Sequence, residues 1–126
     1  MIIALSLFLS FAPTSQLANK AERYEGSYFK KGITARCADF VGTVVKECGK
    51  NPPSGYQKCT SWLAWGKKVT ISKIKKGDIV IYEKKDGYNH IGIYKGSGVV
   101  IHRPTKSKPV GTISLHYRKI IGIRRL

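Results

Sequence analysis

Cys37, His90 and His102 are the residues whose types and places in the chain could do chemistry together. Cys37 opens the stretch Arg36-Cys37-Ala38-Asp39-Phe40-Val41-Gly42-Thr43-Val44-Val45-Lys46-Glu47-Cys48-Gly49, in which Phe40, Val41, Val44, Val45 and Cys48 recur at i, i+1, i+4, i+5 and i+8. That spacing predicts a helix with one apolar face, closed by Gly49 at a left-handed stop. A thiol on the first helical residue meets unpaired amide N–H groups and the positive end of the helix dipole. Both favour the thiolate, the form that attacks a carbonyl carbon. With nothing else converging on it, a cysteine at a helix start is simply a small apolar residue, so the histidines decide.

His90 opens one predicted strand and His102 closes the next, around a turn at Lys95-Gly96-Ser97-Gly98. Residues equidistant from a hairpin turn face each other, and positions 90 and 102 are close to that relation. Thiolate, imidazole and a second polar ring would make a nucleophile, a general base and an orienting group. In that scheme His90 takes the thiol proton and returns it to a leaving amine, while His102 accepts the other ring N–H and holds the tautomer. A strand histidine is more often a satisfied side chain, and His116, beside Tyr117 and Arg118 in a predicted loop, is read that way.

The elements that must position these groups are set by period and turn chemistry. Ala18 to Glu25 reads as a short helix, and Gly26 to Gly32 as a loop that delivers the chain to Cys37. After the Cys37 helix, Asn51-Pro52-Pro53-Ser54-Gly55 is a turn, because proline forbids helical continuation and Ser54 can cap the next helix. Tyr56, Cys59 and Leu63 predict that second, short helix, ended by Gly66. Trp62 and Trp65 beside it either line a groove or pack in the core. Beyond the turn Lys75-Lys76-Gly77-Asp78 the period changes to that of strands: Ile79–Tyr82, Asn89–Tyr94 and Val99–His102, with Asp86-Gly87 between the first two. Residues 113–115 and 119–123 are two further strand candidates. Helices upstream of short strands make an α+β chain, N-terminal helices packed on a small antiparallel sheet or open barrel.

Charge and cysteine count bound the partners. The 126 residues form one domain, and 23 basic against 7 acidic residues leave a formal charge of +16. So basic a surface associates with polyanions such as an acidic wall polymer, anionic lipid or nucleic acid. No long basic block or nucleic-acid-binding motif is present, so no specific nucleic acid is expected. Three cysteines cannot all pair within one chain. A Cys48–Cys59 disulfide is open to an exported protein, with unpaired thiols the alternative, and no CxxC or HxxxH spacing suggests a metal. Residues 2–12 are an apolar run too short to span a bilayer and of the length of a signal-peptide centre. They imply a signal peptide over 1–18 and a single domain over 19–126, although no Lys or Arg precedes the run and Gln16 sits poorly before a cleavage point after Ala18.

The order Cys37-x-x-Phe40-Val41, Lys76-Gly77-Asp78-Ile79-Val80, Asn89-His90-Ile91-Gly92-Ile93-Tyr94, Val100-Ile101-His102 and a terminal Gly122-Ile123-Arg124-Arg125 resembles the NlpC-type cell-wall cysteine peptidases, over about residues 22 to 126. The resemblance implies a papain-like fold, related to the CHAP amidases. It also implies hydrolysis of peptidoglycan stem-peptide amide bonds, commonly beside γ-D-glutamate, through a cysteinyl acyl-enzyme. Carried over by position, Cys37 is the nucleophile, His90 the base and His102 the third polar residue. Tyr28 corresponds to a tyrosine that flanks the family's site, and Trp62-Leu63-x-Trp65-Gly66 is similar to a phage-associated and bacterial subset. Where many such peptidases carry Asp before the nucleophile and Ser after it, this chain carries Arg36 and Ala38, and Arg36 suits a substrate carboxylate. Tyr28, Arg36, Trp62 and Trp65 are thus the substrate-binding candidates. The expected partners are peptidoglycan or muropeptides and anionic wall polymers, met by a monomer without metal or organic cofactor. The expected location is secreted, periplasmic or wall-associated, or release at phage lysis. Rival functions are a non-enzymatic basic module that binds wall or nucleic acid, and an amidase or acyltransferase on another acyl substrate.

Overall fold

A computed structural model describes residues 13–29, 36–105 and 107–126. The apolar run at 2–12, on which the signal-peptide expectation rests, and the second half of the Gly26–Gly32 loop lie outside the described residues. Helix α1 is Pro13–Glu22 and helix α2 is Cys37–Glu47. They are followed by a 3₁₀ helix at Cys59–Ala64, a short 3₁₀ turn at Ile71–Lys73 and six strands. The strands are β1 Lys67–Lys68, β2 Ile79–Lys85, β3 Tyr88–Gly96, β4 Val99–His102, β5 Gly111–Ser114 and β6 Ile120–Arg125. They form one antiparallel sheet in the order β1-β6-β2-β3-β4-β5.

Alternation along the strands separates two packing layers. Ile79, Ile81, Ile91, Ile93 and Ile101 join Leu17, Ala18 and Ala21 of α1, Phe40, Val41, Val44 and Val45 of α2, and Trp62, in the main core. Val80, Tyr82, Tyr94, Val100 and Leu115 form a smaller cluster from the alternate positions. The predicted helix at Cys37 is present and stops as expected: Gly49 is left-handed (φ +77°), and the Gly49 and Lys50 N–H groups donate to the Lys46 and Val45 carbonyls. The hairpin turns are also where the sequence places them, with Asp86-Gly87 and Ser97-Gly98 both at positive φ.

The Lys75–Asp78 turn has a second use that spacing alone does not show. A Cβ on Gly77 would overlap the carbonyl of Thr14, so this glycine admits the first turn of α1. Asp78, with no exposed surface, accepts two hydrogen bonds from Arg125 at 2.8 Å each and one from the Lys75 N–H at 2.8 Å. One turn thus ties α1, β2 and the last strand together.

Helix α1 begins earlier than Ala18 and crosses the expected domain boundary. Leu17 and Ala18 are fully buried, so a chain starting at residue 19 lacks the first part of α1 and the Leu17 side chain. Relative to a chain starting at residue 13, it should lose about 3 kcal/mol, the typical cost of deleting a buried leucine. Urea unfolding of the two reads this directly, and equal midpoints would show that α1 contributes nothing to the domain.

Candidate active site

The start of α2, the start of β3 and the end of β4 meet at an open cleft of about 780 Å³, whose lining includes Arg36, Cys37, Cys59, His90 and His102. Hairpin register brings the histidines together, though not as a directly facing pair. Ile93 pairs with Ile101 and Tyr94 with Val100, and the ladder is irregular between Tyr94 and Gly96. His90 therefore meets His102 on the diagonal, across Gly92. A side chain on Gly92 would run into Val100 and the Ile101 carbonyl and stand 3.5 Å from the His102 Cβ, so glycine keeps this corner open. The ring nitrogens His90 Nε2 and His102 Nδ1 are 2.8 Å apart. Tyr82, the cross-strand partner of His90, stacks on its ring at 6.1 Å, and Tyr117 packs against its edge at 5.6 Å. Both ladders of β2 shift register beside Tyr82. Bulges bend a strand and re-aim its side chains, and they recur next to active sites.

The electrostatics assign protons within this group. Burial, and secondarily the charge of His90, hold His102 down at about 4, so near neutral pH it is an uncharged ring, and in the tautomer protonated on Nε2 its Nδ1 accepts from His90 Nε2–H. The other nitrogen of His90 is then left for Cys37. The Cys37 thiol is held at about 5. A hydrogen bond from the Cys59 thiol lowers it most, burial opposes, and a hydrogen bond from His90, the His90 charge and the Ala38 N–H lower it further. The sulfurs of Cys37 and Cys59 lie 3.6 Å apart. That same hydrogen bond, then burial and the Cys37 charge, push the Cys59 thiol far up. The negative charge belongs on Cys37 because His90 and the amide of Ala38 favour it there.

Cys59 is the residue that sequence reasoning did not place in the site. It reaches Cys37 because the 51–58 segment folds closely onto α2: a Cβ on Gly42 would overlap the Tyr56 ring. A glycine inside a helix costs about 1 kcal/mol relative to alanine and so marks a close approach, which was the available signal. Cys59→Ala removes the strongest influence lowering the Cys37 thiol, so the alkylation rate of Cys37 against pH should shift to higher pH. An unchanged iodoacetamide profile would show that Cys59 does not act on Cys37.

His102 carries a stability consequence with a definite sign. Its folded value near 4 lies below its ordinary 6.5, so between these pH values the unfolded chain takes up a proton that the folded chain refuses. Stability should fall as pH drops from about 6.5 to 4. Urea midpoints measured at pH 7 and pH 5 should show this slope, reduced in His102→Gln, and a variant with the unaltered slope would place its origin elsewhere.

The sequence profile of the NlpC/P60 family matches residues 21–122. The chain belongs to the NlpC/P60 family. Among curated relatives, a probable endopeptidase of Corynebacterium glutamicum is 35% identical over 111 residues, covering 84% of this chain and 51% of the relative. The murein DD-endopeptidase/murein LD-carboxypeptidase MepS of Escherichia coli is 33% identical over 91 residues, covering 70% of this chain and 45% of the relative. The chain thus spans about half the length of these relatives. Two solved structures share the fold. The NlpC/P60 domain of the peptidoglycan hydrolase SagA has a TM-score of 0.69 at 21% identity, covering 90% of this chain and 98% of that one. NlpC1 of Trichomonas vaginalis has a TM-score of 0.76 at 18% identity, covering 89% of this chain and 43% of that one.

The remaining candidates of this NlpC/P60 domain separate into residues near the cleft and residues away from it. Arg36 lines the cleft, next to the nucleophile position. Trp62 does not: it is fully buried, and its indole N–H donates to the Tyr56 carbonyl at 2.9 Å. Trp65 packs edge-on against Trp62 at 5.1 Å and donates to the Asn51 carbonyl at 2.9 Å. Neither tryptophan is among the described residues that line the cleft. Their polar edges tie down the 51–58 segment, and Trp62 anchors the 3₁₀ helix that carries Cys59. Tyr28 is exposed and is not among the described residues that line the cleft. Asp39 is buried in the first turn of α2, where negative charge suits the helix dipole. Cys48 caps the opposite end of α2 from Cys37, with its sulfur 3.7 Å from the Gln16 carbonyl, and no Cys48–Cys59 disulfide forms. His116 is exposed and borders a different groove, beside Ile71 and Ile121.

Proposed function

We propose that this domain hydrolyses amide bonds in the stem peptides of peptidoglycan, with Cys37 as nucleophile, His90 as general base and acid, and His102 as the group that orients His90. The Cys37 thiolate attacks the amide carbonyl carbon, and amide N–H groups at the start of α2 receive the oxyanion. His90 then gives its proton to the departing amine as the C–N bond breaks, leaving a thioester. Water, deprotonated by His90, attacks the thioester, and the acid leaves as Cys37 regains its sulfur electrons. The observation that carries this reading is the arrangement in one cleft of a thiolate at a helix start and a 2.8 Å histidine pair on the facing hairpin. The names of the corynebacterial and Escherichia coli relatives, both endopeptidases, agree with it.

A site of action outside the cytoplasmic membrane accompanies this reading, since that is where stem peptides are assembled into wall. The basic surface would hold the enzyme on anionic wall polymers. Purified muropeptides incubated with the unaltered protein and with Cys37→Ala test the proposal by mass spectrometry. New products, absent with Cys37→Ala, are expected and name the bond. Intact muropeptides in both samples would favour a wall-binding module, and transfer of an acyl group to an added amine would favour an acyltransferase.

A further inference from the structure

We propose that the cleft beside Cys37 contains an anion subsite, built on Arg103 with Arg36 and Arg118, that takes a free carboxylate of the peptide being cleaved. This rests on the hydrolase reading for its substrate class but not for its geometry. Among the described residues, the lining of the cleft carries five cationic side chains, Arg36, Lys58, Lys84, Arg103 and Arg118, and no Asp or Glu. Arg103 comes directly after His102 and is only 6% exposed. Its one hydrogen bond is from Nη1 to the neighbouring Pro104 carbonyl at 3.0 Å, and no carboxylate pairs with it among the described residues. A guanidinium so buried is costly without a counter-charge.

Arg118 presents a related shortage. It lies 5.4 Å and 5.2 Å from the centres of the Tyr88 and Tyr117 rings and donates through Nη1 to the Tyr88 carbonyl at 3.0 Å. Its Nε is buried without a partner. Arg125 shows how this fold treats an arginine that is structural: it is matched to both oxygens of Asp78. Glu22 and Glu25 are likewise engaged, with Lys76 and Lys95. Among the described residues the cations at the cleft have no such partners, and a guanidinium fork matches a planar carboxylate with two parallel hydrogen bonds. Stem peptides supply carboxylates close to their amide bonds, whereas a substrate amine would meet like charge.

The test is binding to Cys37→Ala, which retains the cleft without turnover, in about 0.15 M salt to suppress loose surface attraction. Calorimetry compares a γ-D-glutamyl tripeptide bearing free carboxylates with the same tripeptide amidated at those groups. Amidation should weaken binding about tenfold or more, the scale of one charge-assisted hydrogen bond. Adding Arg103→Gln should abolish the difference, and Arg36→Gln should reduce it. Should Arg103→Gln unfold, the amidation comparison and the exposed Arg36 decide alone. Equal binding of the two peptides, or no binding of either, overturns the proposal. So does tighter capture of a glycerol-phosphate oligomer at Arg103, which would make this a polyphosphate site. Carboxylate-dependent binding together with uncleaved muropeptides would retain the subsite and remove the hydrolase reading.

The paired sulfurs carry a second inference independently: we propose that Cys37 and Cys59 are an oxidation site at which a hydroperoxide forms an intramolecular disulfide. Both thiols are half-buried, line the open cleft and stand 3.6 Å apart. The Cys37 thiolate attacks the peroxide oxygen, forming an S–O bond and breaking O–O, and the leaving oxide takes a proton. Cys59 then attacks that sulfur, S–S forms, S–O breaks and water leaves, so the dithiol loses two electrons to the peroxide. The sulfurs must close to about 2.05 Å. Peptide mapping after mild peroxide should find residues 37 and 59 linked, reversed by dithiothreitol, while Cys59→Ser should stop at a trappable sulfenic acid. Sulfinic acid at Cys37 in the unaltered protein, or a link through Cys48, would overturn it, and neither readout depends on hydrolysis.

Discussion

Cys37→Ala should lower kcat/KM for stem-peptide hydrolysis by about 10⁴- to 10⁶-fold, the range seen when a covalent nucleophile is removed and the rest of a site stays in place. His90→Ala should cost nearly as much, and the double variant little more than either alone, because thiolate and imidazole act as one unit. Cys37→Ala should keep the fold, since Cys37 is only half-buried; His90 is 7% exposed, so the fold of His90→Ala is checked by circular dichroism before its activity is read. The acid side of the pH profile adds a second constraint. Cys37 is held at about 5, so activity should fall as pH drops through that value and the thiolate takes up its proton. More than about 1% residual activity in folded Cys37→Ala would contradict the nucleophile assigned here, and an acid limb untouched by Cys59→Ala would show that Cys59 does not set the Cys37 thiol.

The largest loss of stability away from the cleft is expected at Asp78. Its carboxylate is fully buried and receives Arg125 and the Lys75 amide at 2.8 Å each. Asp78→Ala leaves the Lys75 N–H and part of the Arg125 guanidinium without their acceptor, and breaking one side of such a buried pair typically costs about 3–5 kcal/mol. For a chain of this size that lowers Tm by roughly 10 °C or more. Asp78→Asn keeps the shape and one acceptor oxygen and should fall between. Arg125→Met leaves the buried Asp78 carboxylate without its counter-charge and also frees the Lys73 carbonyl, to which Arg125 donates at 3.0 Å, so it should cost at least as much as Asp78→Ala. Thermal unfolding of the three variants checks the order, and an unchanged Tm for Asp78→Ala would mean that the turn is held by the backbone and Gly77 alone.

Much of the site is legible in the sequence because its parts are local. The helix at Cys37 announces itself through a five-residue apolar stripe and a glycine stop, and the hairpin of His90 and His102 through alternation around a turn rich in glycine. Helix period and strand period are properties of short windows, so α2, β2, β3 and β4 lie close to where those periods place them. Tyr56, Cys59 and Leu63 read as a helical face, whereas the structure has a 3₁₀ helix from Cys59 to Ala64 whose buried residue is Trp62. Three positions with a plausible spacing do not carry enough information to choose the tighter helix. Burial of Trp62 under α2 and the sheet chose it.

By itself, then, the sequence determined the cysteine at a helix start, the two histidines and their hairpin, the α+β order of elements and the strongly basic charge. Tertiary structure alone decided that Cys59 touches Cys37, that the tryptophans brace a loop instead of lining a groove, and that Asp78 is sealed against Arg125. It also decided that Arg103 and Arg118 face the cleft without carboxylate partners. The Cys37–Cys59 and Asp78–Arg125 contacts join residues 22 and 47 positions apart. Such contacts depend on how twisted strands and helix faces pack, on where a missing Cβ lets two backbones meet, and on which polar groups find partners once water is excluded, and no local window of sequence encodes those distances.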